Sequence, residues 1–499
     1  MSNSAAQLAY LAPELVVAVG AVAVLALDIL LPERSRRLLA RATAAALLAS
    51  LAAVWWLYAG EVAGRPERLF TGTLVRDGYS LFLDAVFLLA GILGALVSAR
   101  YVDREGLQSG EYYALMLFAV LGMMLMAVSA ELVTLFISYE ILSLSVYVLS
   151  GIARGRAESA EAAMKYFLLG AFSSGFLIYG IALIYGATGT TALEAIGAAV
   201  MSRGLFGNSL LLIGMALVTV GFAFKVAAVP FHGWVPDVYQ GAPLPVTAFM
   251  SAGVKAAAFG ALARVLFTAF GSLSAVWQPA LWLLALLTMV LGNTAAIAQT
   301  NIKRMLAYSS IAHAGYMLAG VAAYTAGDVA LGSVLYYALV YTAMNIGAFA
   351  VVLVVGREGE GNQELSDYRG LAVRHPWVAA GMALFMVSLS GLPPTAGFLG
   401  KFYILNAALR ANLIGLAVAL VLASLISWYY YLRVVWLMYF IKPGEAPPTL
   451  SGAPSLRLAV GMAAVLVLIL GLWPSAALNL AQVAALTVTA GGLPVIGRP

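Results

Sequence analysis

The sequence predicts an all-α polytopic membrane protein with about fourteen transmembrane helices. Of its 499 residues, 63% are hydrophobic and only 10% are charged, whereas roughly a quarter of the residues in a soluble chain are charged. The hydrophobic residues form runs of about 20 residues, which is the length of a helix that crosses a bilayer. These two observations exclude a soluble globular enzyme, and the runs are too long for the strands of a membrane β-barrel.

The apolar runs follow one another along the whole chain. They lie at 8–31, 38–59, 78–99, 112–130, 131–151, 161–186, 209–241, 244–270, 277–298, 302–324, 329–355, 376–409, 411–441 and 456–489. The segment from Met1 to Val17 lacks the basic start and the small-residue cleavage site of a secretory signal, so we expect the first run to remain as a span. The longest polar connections, 60–77 and 356–375, are too short for a soluble domain.

Basic residues are distributed unevenly between the connections, and this bias predicts the orientation. Fifteen lie in odd-numbered connections: Arg34, Arg36, Arg37, Arg41, Arg100, Arg104, Arg154, Arg156, Lys303, Arg304, Arg357, Arg369, Arg374, Lys442 and Arg457. Five lie in even-numbered connections: Arg65, Arg68, Arg76, Arg203 and Arg410. We therefore expect the odd-numbered connections to face the cytoplasm and both termini to lie on the non-cytoplasmic side. The net charge of +5 then requires no nucleic-acid partner.

Residues that bind metals and redox groups are scarce. The chain has no cysteine and three histidines, His232, His313 and His375. Disulfides, iron–sulfur clusters and thiolate metal sites are therefore excluded, and the histidines are too few and too scattered to predict a haem or zinc site. We expect this chain to bind no cofactor or metal.

Lysine is used differently from arginine in this sequence. Of six lysines, four lie inside apolar runs: Lys165, Lys225, Lys255 and Lys401. A lysine at the bilayer centre costs about 2.5–3.5 kcal/mol even on insertion scales. A structural ion pair or an anchor that reaches the membrane surface is the alternative role, and it fits Lys165 best because that residue lies near the start of its run. A desolvated lysine can release its proton near neutral pH, whereas arginine stays charged.

A carboxylate is available to pair with one of these lysines. Glu140 is the acidic residue nearest the middle of a run, and a lysine beside a carboxylate can exchange a proton. Glu14, Asp28 and Asp84 lie nearer the ends of their runs, where we expect them to be solvated or to cap helices.

Polar residues also line single helix faces at helical spacing. The stripes are Thr247, Ser251 and Lys255; Ser309, His313 and Tyr316; Tyr337, Tyr341 and Asn345; and Glu140, Ser143 and Tyr147. Such residues often only hold membrane helices together, and His313 is as compatible with packing as with a proton relay. Together with the buried lysines, they predict a hydrated interior seam.

Two runs are interrupted by helix-breaking residues. Pro230 and Pro236 follow Lys225 in run 209–241, while Pro393, Pro394 and Gly397 precede Lys401 in run 376–409. Proline removes a backbone donor, so both helices should be broken. These are spans 7 and 12, and paired interrupted helices are typical of transporters built from repeats. Unrelated kinks are the alternative.

We therefore predict two inverted five-helix repeats, spans 4–8 and 9–13, with broken helices 7 and 12. The predicted division of the chain is an N-terminal three-helix segment (1–110), two antiporter-like repeats (111–270 and 271–441), and a C-terminal helix and tail (442–499).

At the interrupted runs the sequence resembles a known family. EAAMKYFLLGAFSS (161–174), GFAFKVAAVPFHGWVPDVYQGAPLPVTAFMS (221–251), KRMLAYSSIAHAGYML (303–318) and LSGLPPTAGFLGKFY (389–403) are similar to segments of the antiporter-like membrane subunits of respiratory complex I. The resemblance is strong over about 110–440. The lysine in AGFLGKFY, Lys401, is similar to the subunit N branch, because a sister branch carries glutamate at that position. The run around Lys165 is also most similar to the subunit N branch.

The resemblance implies a proton-translocating subunit of a bacterial NADH–quinone oxidoreductase in the cell (inner) membrane. Its partners would be other membrane-arm subunits, and NADH, FMN, iron–sulfur clusters and quinone would be used by other subunits. The family pattern implies that Glu140 modulates Lys225, which accepts a proton from the cytoplasmic side. Lys255 would then relay the proton and Lys401 would release it outward. Lys165 would gate proton entry or couple to a neighbour, and His313 and His232 would be relays.

Three other functions share these features. A subunit of a multisubunit cation/proton antiporter would be driven by ion gradients alone and would purify with small membrane partners. A membrane subunit of an energy-converting hydrogenase would have nickel–iron partners. A scaffold would lose assembly but not pumping when its lysines are replaced.

Overall fold

The computed structural model describes residues 7–30, 37–60, 66–107, 109–356, 361, 363–443 and 453–489. Within these residues each of the fourteen predicted runs contains helix, so the predicted all-α membrane fold is confirmed. Arg34, Arg36, Arg65 and Arg357 of the orientation count, and most of the predicted C-terminal tail, lie outside the described residues.

The helices follow the predicted order. The first ten are α1 (Ala12–Leu30), α2 (Arg37–Ala59), α3 (Gly78–Arg104), α4 (Ser109–Val128), α5 (Leu132–Ser150), α6 (Ala157–Thr188), the short α7 (Leu193–Ser202), α8 (Ser209–Val226), α9 (Val235–Gly241) and α10 (Leu244–Ala269). The others are α11 (Ser274–Ile297), α12 (Ile302–Ala322), α13 (Asp328–Val355), the single-turn α14 (Leu371–Arg374), α15 (Pro376–Ser390), α16 (Ala396–Arg410), α17 (Ile414–Phe440), α18 (Pro454–Leu472) and α19 (Ser475–Thr489).

Twelve helices in the described ranges are individually long and apolar enough to cross a membrane. Two predicted spans are missing from those twelve. Span 10 is α12, which has 21 residues but is less apolar. Span 12 is divided into α15 and α16, each of 15 residues, so neither half crosses a bilayer alone.

The described residues contain one β-hairpin, which consists of two short strands. Strands β1 (Glu67–Leu69) and β2 (Leu74–Arg76) pair antiparallel, and Leu74 also pairs with Ser129. Three-residue strands are too short to show an alternating pattern, so the sequence predicts only a polar connection here. We call this side of the bundle the hairpin end.

Spans 7 and 12 are broken as predicted. Helix α8 ends at Val226, the backbone turns through Ala227 at φ 67°, and α9 begins at Val235. Helix α15 ends at Ser390, the backbone turns through Gly391 at φ 80°, and α16 begins at Ala396. Both breaks fall at the prolines because proline cannot continue the helical hydrogen-bond pattern.

A third break lies in the last run, which the sequence predicts as one span. Helix α18 ends at Leu472 and α19 begins at Ser475, with Trp473 at φ −129° and ψ 68°. The cause is Pro474, because the residue before a proline is sterically excluded from the helical region. Helix α19 then packs on α13 and α3, and its last turns reach the hairpin end.

Helices α10 and α13 form the centre of the bundle and are almost wholly enclosed by protein, while α1, α2 and α18 are peripheral. Glycines let neighbouring helices approach closely: a Cβ on Gly292 of α11 would lie 2.5 Å from the backbone nitrogen of Ala312 on α12. Outward-facing side chains such as Ile29 and Trp377 are exposed, as expected for a surface that meets lipid or neighbouring membrane proteins.

Candidate functional site

Lys225 is fully buried at the end of α8, beside the first break. Its Nζ donates to Ser143 Oγ at 2.8 Å and lies 4.9–5.3 Å from the ring centres of Tyr139, Tyr147 and Tyr166. The break places this lysine inside the bundle, between α5 and α6. Its ammonium therefore has a hydroxyl and three aromatic faces as neighbours.

Lys255 lies in the middle of α10 and is 1% exposed. Its Nζ donates to the backbone carbonyl of Ser310 at 2.5 Å and to the Ser310 hydroxyl. Ser310 is on α12, so this contact joins the first half of the chain to the second. Ser251, one turn before Lys255, accepts from Asn345 Nδ2 at 2.6 Å, and the predicted polar stripes of α10 and α13 therefore meet.

His313 is buried one turn beyond Ser310 on α12. Its Nδ1 lies 2.6 Å from Tyr337 Oη and its Nε2 lies 3.0 Å from Tyr431 Oη. Both ring nitrogens are therefore engaged by phenols from α13 and α17. Imidazole can accept a proton on one nitrogen and release it from the other, so this geometry suits a relay.

Lys401 lies in α16 just after the second break and is 4% exposed. Its Nζ donates to the carbonyls of Leu389 and Ser390 at 3.1 and 2.9 Å and to Ser424 Oγ at 3.0 Å. It also lies 4.8 Å from the ring centre of Tyr316. The carbonyls left free at the end of α15 thus bind the ammonium.

Lys225, Lys255 and Lys401, together with His313, form what we call the lysine row. Within the described part of the chain, none of the three lysines takes part in an ion pair. Each is held by neutral hydroxyls, carbonyls or rings. A buried ammonium without a counter-charge is unfavourable, and lysine can relieve this by releasing its proton whereas arginine cannot. The row is chemically suited to proton exchange.

Buried hydroxyls accompany the row. Within the described residues the phenol oxygens of Tyr139, Tyr147, Tyr166 and Tyr341 have no protein hydrogen-bond partner. Aromatic rings extend from Lys225 into the bundle, since Tyr166 stacks on Trp234 at 4.3 Å and Trp234 meets Tyr239 edge-on at 6.2 Å. Buried polar groups are normally hydrogen-bonded to protein or water, so this seam is polar enough to hold water.

Glu140 is near Lys225 but does not form an ion pair with it. Its Oε1 accepts from Ser174 Oγ on α6, while Ser143, one turn further along α5, contacts Lys225. Ile137 and Leu144 flank Glu140 on the same helix face and are 55% and 51% exposed. The carboxylate therefore belongs to a face of α5 that this chain leaves uncovered.

Lys165 lies apart from the row. It is 40% exposed at the opposite end from the hairpin, where its Nζ pairs with Glu161 at 2.7 Å and Asp237 at 2.8 Å. Asp237 also pairs with Arg304 at 2.9 Å. These residues border a polar cavity of about 700 Å³, which we call the acidic mouth. The cavity is lined by Glu158, Glu161, Lys165, Asp237, Glu364 and Asp367, among others.

We expect Asp237→Asn to remove two ion pairs at the acidic mouth without unfolding the protein. Asp237 joins α6 to α12 through Lys165 and Arg304, but its side chain is 36% exposed, and such pairs stabilise by roughly 0–1 kcal/mol. The variant should be present in membranes at the wild-type level. Its unfolding temperature should be slightly lower than that of the wild type at low salt, and this difference should disappear at high salt. Glu194→Gln, which removes an exposed pair at the hairpin end, is the matched control. A large loss of the folded protein would contradict this expectation.

His232 is in the turn of the first break. It is half-buried, and its Nδ1 has no hydrogen-bond partner among the described residues. Its neighbours Pro230 and Gly233 are exposed. The structure thus places His232 in a partly exposed turn, and no hydrogen bond among the described residues connects it to the lysine row.

The predicted polar stripes include Ser143 and Tyr337, but the other hydroxyl partners of the row are not identifiable from the sequence. Ser310 lies 55 positions from Lys255 and Tyr431 lies 118 positions from His313, while Ser424 is on the helix that follows Lys401. Serine or tyrosine in an apolar helix has no distinctive signal. Two of the expectations for acidic residues are wrong. Glu14 and Asp84 are not solvated near their helix ends but fully buried against Arg76, because β2 turns that arginine into the bundle.

Comparison with known proteins places this geometry in a family. Residues 129–427, from α5 to the middle of α17, match the family model described as "NADH:quinone oxidoreductase/Mrp antiporter, TM". A protein from Trichlorobacter lovleyi named NADH-quinone oxidoreductase subunit N is 48% identical over 473 residues, covering 94% of this chain and 95% of its own. The chain belongs to the NADH-quinone oxidoreductase subunit N family.

Two solved structures are similar to this member of the subunit N family. A chain of respiratory complex I from Thermus thermophilus is 38% identical, covers 94% of this chain and 99% of its own, and has a TM-score of 0.80. A chain of the Mrp complex from Dietzia sp. covers 97% of this chain and 98% of its own with a TM-score of 0.84, but at 23% identity it shows the fold alone. The whole lysine row lies within the residues that match the family model.

Proposed function

We propose that this chain is a proton-translocating, antiporter-like membrane subunit of the NADH–quinone oxidoreductase (complex I) of a bacterial cell membrane. The observation that carries this proposal is the lysine row, in which three buried lysines meet only neutral partners across both halves of the bundle. The names of its relatives support the assembly. The cation/proton antiporter, for which the Mrp complex chain shares the fold, and the hydrogenase subunit are less well supported because relatives at 48% identity are named subunit N.

Within the lysine row, Lys225 would be the first residue to accept a proton. The acidic mouth would collect protons from the cytoplasm, and Lys165 would gate their entry by exchanging its partner Asp237. Glu140 would act on Lys225 along α5, since Ser143 joins the carboxylate's helix face to the ammonium. Because Glu140 lies on an uncovered face of α5, a charge on a neighbouring membrane-arm subunit can alter its interaction with the row.

The transfer continues through Lys255 to the second half of the chain. Lys255 contacts Ser310, and His313 one turn away contacts Tyr431. Water bound at the unpartnered phenols of the seam would bridge the remaining gaps. His232 would act only as an accessory relay in the turn between α8 and α9. Lys401 would receive the proton and release it on the non-cytoplasmic side.

The proposed division of labour leaves redox chemistry to other subunits. NADH, FMN, iron–sulfur clusters and quinone would be bound elsewhere in the complex, and this chain would contribute only proton transfer. We also propose that both termini lie on the non-cytoplasmic side, with the hairpin end facing outward.

We further propose that 111–270 and 271–441 are inverted repeats, flanked by 1–110 and 442–499. In each proposed repeat the broken helix is the fourth of five spans, which supports the pairing.

The experiment that tests the function uses Glu140→Ala and Lys225→Ala in the intact complex. We expect both variants to assemble and to lower NADH-driven proton pumping per electron in membrane vesicles. Lys225→Ala should also slow quinone reduction by roughly tenfold or more, since positioned proton transfer contributes at least that much. Glu111→Ala and Lys442→Ala remove exposed charges of the same types and should pump normally. Wild-type pumping stoichiometry in both site variants would refute the proposal.

A further inference from the structure

A second group of buried charges lies near the hairpin end, away from the lysine row. It consists of Glu14 on α1, Arg76 on β2, Asp77 and Asp84 at the start of α3, and Arg264 on α10. All five are at most 5% exposed. We call them the five-charge cluster. The proposed proton path along the row does not use them, and the matched family segment includes only Arg264.

The contacts divide the cluster into two parts. Arg264 donates both Nη atoms to the two carboxylate oxygens of Asp77, each at 2.9 Å. These two residues therefore neutralise each other. Arg76 instead binds two carboxylates, with Nη1 donating to Asp84 Oδ2 at 2.6 Å and Nη2 donating to Glu14 Oε1. One guanidinium thus meets two carboxyl groups.

Among the described residues, the neighbouring helices place no further cation beside this excess. The charged residues Arg41, Glu111 and Arg457 lie at the opposite ends of α2, α4 and α18, and α19 has no ionisable side chain. On α13, Asp328 is partly exposed at the hairpin end. Tyr79 donates its hydroxyl to the Gly260 carbonyl at 2.8 Å. If all three carboxyls were ionised, the cluster would carry one uncompensated buried negative charge, which is strongly unfavourable.

Two oxygens of this pair also lack partners. Glu14 Oε2 and Asp84 Oδ1 are buried and have no hydrogen bond to any described residue. The two carboxyl groups bind the two terminal nitrogens of one guanidinium, which holds them close to each other. One proton between the free oxygens would cancel the excess charge and give each oxygen a partner, as when two carboxylates share a site.

We propose that Glu14 and Asp84 form a carboxyl pair that binds one proton, clamped by Arg76. The pair is a proton-binding site of the N-terminal three helices, and it does not depend on the role of the lysine row. A cavity of about 1050 Å³ at the hairpin end reaches Asp77 and Arg264. Ser80 contacts both Asp77 and Arg76, so the bound proton has a short route to the surface at that end.

The proposal predicts a specific pH response. The pair binds its proton in the folded state, so its contribution to stability is present at low pH and is lost as pH rises. Loss of one proton changes the ratio of folded to unfolded subunit by up to about tenfold per pH unit. Glu14→Gln and Asp84→Asn place an amide where the protonated acid was, and that amide can donate to the remaining carboxylate. Both variants should therefore fold at neutral pH.

The test measures how much of this subunit stays in the detergent-solubilised complex after heating, between about pH 7 and about pH 9. After heating, the wild-type complex should lose at least about threefold more of the subunit at the higher pH than at the lower pH. The Glu14→Gln and Asp84→Asn complexes should lose equal amounts at both pH values. Glu111→Gln, an exposed carboxylate on α4, should respond as the wild type does. The double variant Glu14→Gln/Asp84→Asn should lose the subunit at every pH, because Arg76 is then buried without a carboxylate.

A second measurement distinguishes a bound proton from a bound metal cation. The infrared difference spectrum between wild type and Glu14→Gln should contain the carbonyl stretch of a protonated carboxylic acid at neutral pH. Equal pH responses of wild type and both single variants would overturn the proposal, as would the absence of that band. Stability that follows the sodium concentration rather than pH would also overturn it, since a metal cation would then occupy the pair.

Discussion

Lys401→Met will leave the complex assembled but will slow quinone reduction by roughly tenfold or more and lower the number of protons pumped per electron. The reason is chemical rather than structural. Methionine fills a similar volume but cannot carry a proton, and the carbonyl of Ser390 keeps its bonds from Ser424 at 3.3 Å and Trp428 at 3.1 Å. The break in span 12 should therefore keep its shape. The measurements are NADH-driven proton uptake into vesicles and the quinone reduction rate.

Lys401→Arg separates charge from proton transfer. Arginine keeps the positive charge but does not release a proton in a protein, so this variant should be as defective as Lys401→Met. Lys442→Met removes an exposed lysine just beyond α17 and should behave as the wild type. Normal pumping by Lys401→Arg would show that the row needs only a fixed charge and would remove Lys401 from the proton path.

Gly397→Ala should prevent stable incorporation of the subunit. A Cβ on Gly397 would lie 1.8 Å from the backbone carbonyl oxygen of Ser388, which is far inside van der Waals contact. The first turn of α16 approaches the last turn of α15 here, and Gly397 N holds the two turns together by donating to Ser388 Oγ at 3.2 Å. Overpacking of a buried contact costs about 1–3 kcal/mol or more. The amount of subunit in membranes and its heat resistance measure this loss.

Gly461→Ala is the matched control for that substitution. Gly461 lies in α18 with nothing within 4 Å of the added Cβ, and alanine favours helix over glycine. This variant should be at least as abundant as the wild type. Equal abundance of both variants would mean that the two halves of span 12 can separate without harm, contrary to the close packing of the break.

The positions of the fourteen helical runs and the two breaks in spans 7 and 12 could be predicted because each depends on local sequence. Runs of about 20 apolar residues must be helical in a membrane, and proline interrupts a helix wherever it occurs. The lysines could be singled out for the same reason, since a charge within an apolar run is visible without tertiary information. The extra break at Trp473 is not predicted although Pro474 marks it, because a long apolar run outweighs a single proline when spans are assigned.

The partners of the site residues could not be predicted because they depend on how distant helices pack. Lys255 meets Ser310, 55 positions away, and Lys225 meets Ser143, 82 positions away. The resemblance implies that Glu140 acts on Lys225, but it does not show that the helix face of Glu140 turns its carboxylate toward Ser174. The expectation for Glu14 and Asp84 rests on their positions near helix ends, and only the hairpin brings Arg76 to them.

The enclosure of α10 limits the kind of motion that can accompany transport. This helix carries Lys255 and Arg264 and is surrounded by protein along its length. In an interior packed as densely as an organic crystal, tilting or sliding such a helix would displace every neighbour at once. The parts free to change are side-chain rotamers, hydrogen-bond direction and proton occupancy. The enclosure of α10 therefore favours transport by rearrangement of charge inside a stationary frame over the rocking of domains that exposes a site to alternate sides in other transporters.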